Sequence, residues 1–377
     1  MPHYIWQNTD WTKFSWREEK LLNILSSTRF KQGDLIAKIA ALHSDESLES
    51  QADILTSETM KTALIEGEVY DLATVRSSVN RKLGLSFAGL PETKRHIEGL
   101  VDVLLEATTS FDQKLTKKKL CAWHAALFPT SYSGLMKIRT GQYRNDSEGQ
   151  MKIISGLIGR EIIHFQAPPA AQLENVMKDY FQWWNSSQTQ VDGLIRSGIA
   201  HFYFVTIHPF EDGNGRIARA LTDMALAQDD GLKKRYYSLS EQIVADKKQY
   251  YEALEVTQRG DSDLTDWLVW FLQCFNQALS KSNALLQKTF AKSEFWKTHQ
   301  GKNLHDRQRK VINKLLDAGE DGFQGGLTTR KYVSMTKTSR ATAGREISDL
   351  VQKGILVQTK SAGRNVSYQI YVNPQCD

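Results

Sequence analysis

The twelve residues from His208 to Arg219, HPFEDGNGRIAR, hold one imidazole, two adjacent carboxylates, an Asn between two glycines, and two arginines three positions apart. Aromatic and β-branched residues run up to Pro209 in HFYFVTIHPF, and Ile217, Leu221 and Met224 then recur at helical spacing. The polar cluster therefore stands at a helix N-terminus, where the first amides lack intrahelical partners and the dipole favours an anion. Gly213, Asn214 and Gly215 can wrap those amides around a phosphate with no Cβ in the way. Arg216 and Arg219 lie on one side of the first turn and can reach outer phosphates with planar, bidentate donors. Asp212 offers a hard oxygen to a Mg2+ that neutralises two phosphates at once, and His208 is placed to take a proton from an incoming hydroxyl. Together these parts describe nucleotidyl or phosphoryl transfer by positioning and charge neutralisation. A DGNG stretch alone is an ordinary turn with a helix cap; the full run is what points to chemistry.

That run resembles the core motif of the Fic family, HxFx(D/E)GNGRxxR, with no departure at any defined position. Fic proteins are α-helical enzymes that mostly transfer AMP from ATP to a Ser, Thr or Tyr hydroxyl of a protein and release pyrophosphate. The resemblance implies that His208 is the base for the target hydroxyl and that Asp212 holds Mg2+ bridging the α- and β-phosphates. It further implies that the Gly213 to Gly215 amides bind phosphate, that Asn214 also contacts the α-phosphate, and that Arg216 grips the β-phosphate. Ile217 and Ala218 complete the nucleotide-binding stretch, and Phe210 packs beneath the loop. The segment KIISGLIGREIIHFQAPP resembles the family's flap, a hairpin edge that holds the target peptide by strand addition, with Ile154, Ser155 and Gly156 approaching the nucleotide. YYEALEVTQRGD resembles the segment around adenosine, with Tyr250 and Tyr251 beside the base and Gln258, often Asn in the family, near the ribose or adenine.

Upstream, TALIEGEVYD contains Thr62, Glu66 and Gly67 in the arrangement (S/T)xxxE(G/N), which resembles the inhibitory signature of Fic proteins that carry their own brake. A Glu held beside Arg219 forms a charge-assisted bidentate pair and fills the space that the γ-phosphate needs. The same Glu could orient a water for removal of AMP. The expected activity is an auto-inhibited protein adenylyltransferase, with self-modification open to it. A transferase using another donor such as UTP, GTP or CDP-choline, an AMP-removing hydrolase, and a nucleotide-sensing DNA-binding regulator remain as alternatives.

The elements that must position these residues are mainly helical. Leu21, Leu22, Leu25, Leu35, Ile36 and Ile39 recur at helical spacing and give a small N-terminal helical unit over 1–50, whose aromatic opening YIWQNTDWTKFSW resembles the small domain that often precedes the bacterial Fic core. A Fic-type helical core follows over 51–290, with the inhibitory helix around 62–67 and one inserted β-hairpin, Lys152 to Ile154 and Ile162 to Phe165. Residues 302–377 read as helices followed by a two-stranded wing, a winged-helix domain. Its helix through Lys353 should carry Lys337, Arg340 and Arg345, with Ile347, Leu350 and Val351 packed inward and Lys360 and Arg364 on the wing. This tail holds 13 Lys/Arg against 7 Asp/Glu, an excess that alone accounts for the net charge of +5 over 377 residues, which leaves DNA as a candidate partner beside the target protein and a homodimer.

A hydrophobic content of 41% with 10% aromatics is that of a folded chain with a sizeable core. No run reaches the roughly 20 apolar residues of a membrane span, and MPHYIWQNTDW has neither the basic start nor the apolar run of a secretion signal, so a cytoplasmic location is expected. Cys121, Cys274 and Cys376 stand far apart and suggest neither a disulfide framework nor a zinc site.

Overall fold

The segment GLIRSGIAHFYFVTI is apolar around most of its circumference, and such a helix belongs at the centre of a domain. In the structure, a computed structural model, it does lie there. The description covers all residues except 1–2, 42–43, 148, 157–159, 161, 319–324, 360–365 and 372–377. The described residues form two units, Met1–Ser282 and Asn283–Asp377.

In the first unit the helices are α1 (Glu18–Ala40), α2 (Ser44–Ile65), α3 (Leu72–Leu83), α4 (Arg95–Thr109) and α5 (Lys117–Leu127). Two hairpins follow, β1–β2 (Tyr132–Ser133, Met136–Lys137) and β3–β4 (Lys152–Ser155, Ile162–Gln166). The chain then continues through α6 (Leu173–Ser186), α7 (Gly193–Ile207), α8 (Asn214–Asp230), α9 (Leu239–Ala245) and α10 (Lys247–Gln258) into α11 (Thr265–Thr298). The expected hairpin is β3–β4, in antiparallel register with a shift between Ile153 and Ile154; β1–β2 was not anticipated.

Helices α7 and α8 pack along one another, and α2, α4 and α5 close around α8. Phe202, Phe204, Phe210, Leu221 and Trp267 are fully buried in this core. Residues 1–50 are part of the same unit, and residue 50 falls inside α2. Arg29 of α1 reaches Asp192 at 2.8 Å and Asp229 at 2.5 Å, which ties α1 to both central helices. Leu21 and Leu35 are buried as the periodicity requires, while Leu22 is exposed. The aromatic opening has a definite job. Tyr4 packs edge-on against Phe165 at 5.3 Å, and the Trp6 indole donates to the Gln166 carbonyl at 2.6 Å, so the N-terminal residues buttress β4.

In the second unit, α12 (Asp306–Ala318), α13 (Thr329–Thr336) and α14 (Arg340–Gln352) precede the antiparallel pair β5 (Leu356–Gln358) and β6 (Tyr368–Ile370), with Leu327 bridging Tyr368. Its core holds Val311, Ile312, Leu327, Tyr332, Ile347 and Leu350. Two expectations shift here. Val351 is 37% exposed, because the buried stripe of α14 runs through Ala343, Ile347 and Leu350. Lys337 is not on α14 but is the left-handed residue that ends α13. Lys360 and Arg364 lie outside the described residues. Among the described residues no helix is long and apolar enough to cross a membrane.

Candidate active site

The α7–α8 junction is a tight reversal. His208 ends α7 at φ 52° with its N–H on the Phe204 carbonyl at 3.0 Å, and Gly213 opens α8 at φ 79°. A non-glycine residue in the left-handed region persists only where its surroundings over-determine it. Arg144 supplies that restraint. Its Nε donates to the His208 carbonyl at 2.7 Å and another nitrogen donates to the Pro168 carbonyl at 2.6 Å, while its backbone N–H meets Pro209 O at 2.9 Å. The His208 ring donates from Nδ1 to Val205 O at 3.3 Å, which leaves Nε2 as the lone-pair nitrogen. Burial, aided by the Arg144 charge, lowers its pKa to about 4, so the imidazole is neutral at pH 7 and competent as a base.

The first intrahelical bond of α8 runs from Ile217 N–H to Gly213 O at 3.0 Å, so the amides of Asn214, Gly215 and Arg216 stand ahead of the ladder. The loop before them is braced internally. Asn214 spends its amide oxygen on Phe210 N–H at 3.0 Å and its amide nitrogen on Phe210 O at 2.8 Å. Asp212 accepts from Gly213 N–H at 2.6 Å and from the Ser133 hydroxyl at 2.5 Å. His124 stacks on Phe210 at 4.2 Å, donates from Nε2 to Asp212 O at 3.1 Å and accepts Gly141 N–H on Nδ1 at 2.9 Å. Burial lowers its pKa to about 4, and the neutral ring fits both bonds.

At the other side of α8 stands the end of α2. Gly67 adopts φ 84°, with its N–H on Leu64 O at 3.1 Å and the Glu68 N–H on Ala63 O at 3.0 Å, the paired bonds of a left-handed helix stop. The alternation of Gly with Asn in the (G/N) position has a physical reason: both tolerate this conformation. Lys247 adds a bond to Ile65 O at 2.7 Å. The turn delivers Glu66 to Arg219 at 2.6 Å, and Thr62 accepts from Arg219 through both its hydroxyl at 2.6 Å and its carbonyl at 3.1 Å. Arg219 is 1% exposed, and its remaining terminal nitrogen, Nη1, is buried without a partner. A Cβ on Gly215 would stand 2.3 Å from the Glu66 carboxylate and 3.1 Å from Arg219, so the carboxylate rests directly on the cradle.

These groups face one cleft of about 600 Å³. It gathers His208, Asp212, Asn214, Gly215, Arg219 and Glu66 with Ile154, Ser155, Tyr250, Tyr251 and Gln258. Tyr250 is buried and its hydroxyl donates to His201 Nε2 at 2.9 Å, whereas Tyr251 is 44% exposed in the wall. Gln258 donates to Thr206 at 3.2 Å. The β3–β4 hairpin is fastened to α10: His164 bridges Glu255 at 2.9 Å and Ser155 at 2.6 Å, and Arg259 donates to the Ile163 and His164 carbonyls.

Other expected site residues stand apart from the cleft lining. Ile217 and Ala218 turn fully into the core, Gly213 contributes backbone conformation, and Gly156 is exposed at φ 102° beyond β3. Thr62 and Gly67 act through the turn. Arg216 faces an adjoining cavity, where it meets Glu68. Arg144, His124, Ser133 and Glu68 were not anticipated. The first three come from loops and a helix with no spacing rule linking them to His208, and only Glu68, two residues beyond Glu66, left a trace in the sequence. Among the described residues no group of three or more His, Cys, Asp or Glu gathers to hold a metal. The Asp212 carboxylate in the cleft suits a Mg2+ that takes its other ligands from phosphates and water.

Residues 114–226 match the Fic/DOC family, and residues 4–85 match a domain of unknown function, DUF4172. A stretch of 86 residues, 22% of the chain, is 35% identical to protein adenylyltransferase fic-1 of Caenorhabditis elegans and covers 16% of it. Over 254 residues, 65% of the chain, identity to protein adenylyltransferase Fic of Culex quinquefasciatus is 24%, covering 46% of that protein. The chain thus spans less than half the length of these curated relatives. A crystal structure of a Fic family protein from Desulfovibrio desulfuricans shares the fold, with TM-score 0.52 at 19% identity over 94% of this chain and 97% of that one.

Proposed function

The chain belongs to the Fic/DOC family through residues 114–226, and from that premise we propose that it is an auto-inhibited protein adenylyltransferase that moves AMP from ATP to a Ser, Thr or Tyr hydroxyl. The observation that carries this reading is one cleft holding a neutral, braced imidazole, the free amides of a helix start, and a buried arginine capped by a carboxylate.

In this reading the target hydroxyl approaches along the β3–β4 edge and gives its proton to His208 Nε2. Its oxygen forms a bond to the α-phosphorus, the bond from that phosphorus to the bridging oxygen breaks, and pyrophosphate leaves with the electron pair. The amides ahead of the α8 ladder and Arg219 stabilise the charge on the phosphates without reorganising at the moment of transfer. Asp212 would hold Mg2+, which supplies further charge neutralisation on the phosphates. Tyr251 offers an exposed ring to the nucleotide base, and Tyr250 is held beneath it by His201. Glu66 occupies Arg219, so ATP meets a like charge where its terminal phosphate would sit. We read the second unit as a winged helix whose exposed Lys337, Arg340 and Arg345 offer a basic face to DNA.

Intact-mass spectrometry of the Glu66→Gly chain, incubated with ATP and Mg2+ alone and then with cell extract, tests the proposal. Addition of one or more AMP masses to the chain or to an extract protein is the expected result. No AMP adduct on either would contradict it.

A further inference from the structure

The turn that stops α2 carries a second carboxylate, and it meets the other arginine of α8. Gly67 at φ 84° splits the two acids, sending Glu66 to Arg219 at 2.6 Å and Glu68 to Arg216. Both Glu68 oxygens lie near one guanidinium nitrogen, at 3.3 and 3.4 Å. The Tyr70 hydroxyl donates to the same carboxylate, and burial followed by that bond raises the Tyr70 pKa, so the phenol keeps its proton. Arg216 is 3% exposed, lies 4.8 Å over the Phe128 ring, and has a buried Nε with no partner.

Arg216 and Arg219 sit three apart on the first turn of α8, beside its free amides, where a polyphosphate would engage both. Yet only Arg219 lines the cleft with His208. Arg216 instead lines the adjoining cavity of about 440 Å³, together with Glu68, Tyr70, His96 and Phe128. We propose that Glu68 is a determinant of nucleotide affinity: its carboxylate takes on Arg216 the place of a donor phosphate, so that Glu66, Gly67 and Glu68 withhold both arginines at once. This rests on the nucleotide-transfer reading above. The chemistry favours competition over a fixed structural pair. A carboxylate and a phosphate present similar oxygen edges to a guanidinium, the Glu68 side chain is 38% exposed, and its bonds to Arg216 are long. An incoming polyanion, favoured by the α8 dipole, can displace it.

Calorimetric titration of the full chain with AMP and ADP, for wild type, Glu68→Gln and Tyr70→Phe, tests this. Glu68→Gln keeps volume and polarity, so it should fold with an unchanged melting temperature. Its ADP affinity should rise about three- to tenfold, between the range for exposed ion pairs and that for charged hydrogen bonds, with AMP affinity unchanged. Tyr70→Phe should move ADP affinity in the same direction by less. Equal ADP affinity in wild type and Glu68→Gln, with AMP transfer by Glu66→Gly intact, would overturn this inference alone. So would a fall in melting temperature with no gain in ADP binding. Failure of every variant to bind ADP would overturn the nucleotide reading and this inference with it.

Discussion

Gly67 offers a way to release Glu66 without touching a charged group. It sits at φ 84°, and a Cβ built there meets nothing within 4 Å, so an alanine would feel only the backbone penalty of the left-handed region. That penalty is about 1–2 kcal/mol for a residue with a Cβ and less for Asn, whose short amide bonds locally. The strain is felt where the Gly67 and Glu68 amides close onto Leu64 and Ala63, the bonds that aim Glu66 at Arg219. If the turn must open for ATP to bind productively, Gly67→Ala shifts the open-to-closed ratio by a factor of about 5–30. The rate of AMP incorporation with ATP and Mg2+ should rise by that factor, up to the ceiling set by Glu66→Gly. Gly67→Asn should stay within about threefold of wild type, since Asn accepts the same backbone geometry at little cost. A Gly67→Ala variant as silent as wild type while losing the full penalty in folding stability, or equal release of activity by Asn and Ala, would refute this role for the turn.

Other consequences reach further from the turn. Because burial holds the His208 pKa at about 4, the transfer rate of Glu66→Gly should be level from about pH 6 to 9 and fall only below about pH 5; an inflection near 6.5 would mean a solvated histidine. Arg144→Ala should leave the His208 and Pro168 carbonyls without their buried donor, lowering stability by about 2–4 kcal/mol in denaturant titration and abolishing transfer, with Arg144→Lys retaining part of both. Trp6→Phe removes only the indole bond to Gln166 O, worth about 1 kcal/mol, and should raise the KM for a protein target while ADP affinity holds, because β4 loosens and the α8 cradle does not.

The site was legible in the sequence where its parts lie close together in it. From His208 to Arg219 the order of residue types states the helix start, and the structure places His208, Asp212 and Arg219 on one cleft. The α2 turn was legible through its resemblance to the (S/T)xxxE(G/N) signature, and the structure ends α2 there in a left-handed stop. Asn214 was read as a phosphate contact; that its side-chain amide also braces the loop through the Phe210 backbone is a detail that composition does not carry. Arg144, Ser133 and His124 were invisible because their contacts with the 208–219 loop span roughly 64–90 residues of chain, and no local period links them. Nothing local in the aromatic opening shows that Tyr4 and Trp6 brace a hairpin 160 residues away. In the second unit Lys337 was misplaced by extending one helical period across Thr338, whereas α13 stops in a left-handed turn and α14 starts afresh at a Ser339 cap; Val351 falls beside the buried stripe of Ala343, Ile347 and Leu350.

Nucleotidyl transfer through His208 under restraint by Glu66 is measured by incubating wild type, Glu66→Gly and Glu66→Gly/His208→Ala with ATP labelled either at the α- or at the γ-phosphate. Protein should carry α-label with Glu66→Gly, little with wild type, none with the double variant, and no γ-label with any of them. Protein-bound γ-label, or equal α-label with and without His208, would contradict that mechanism.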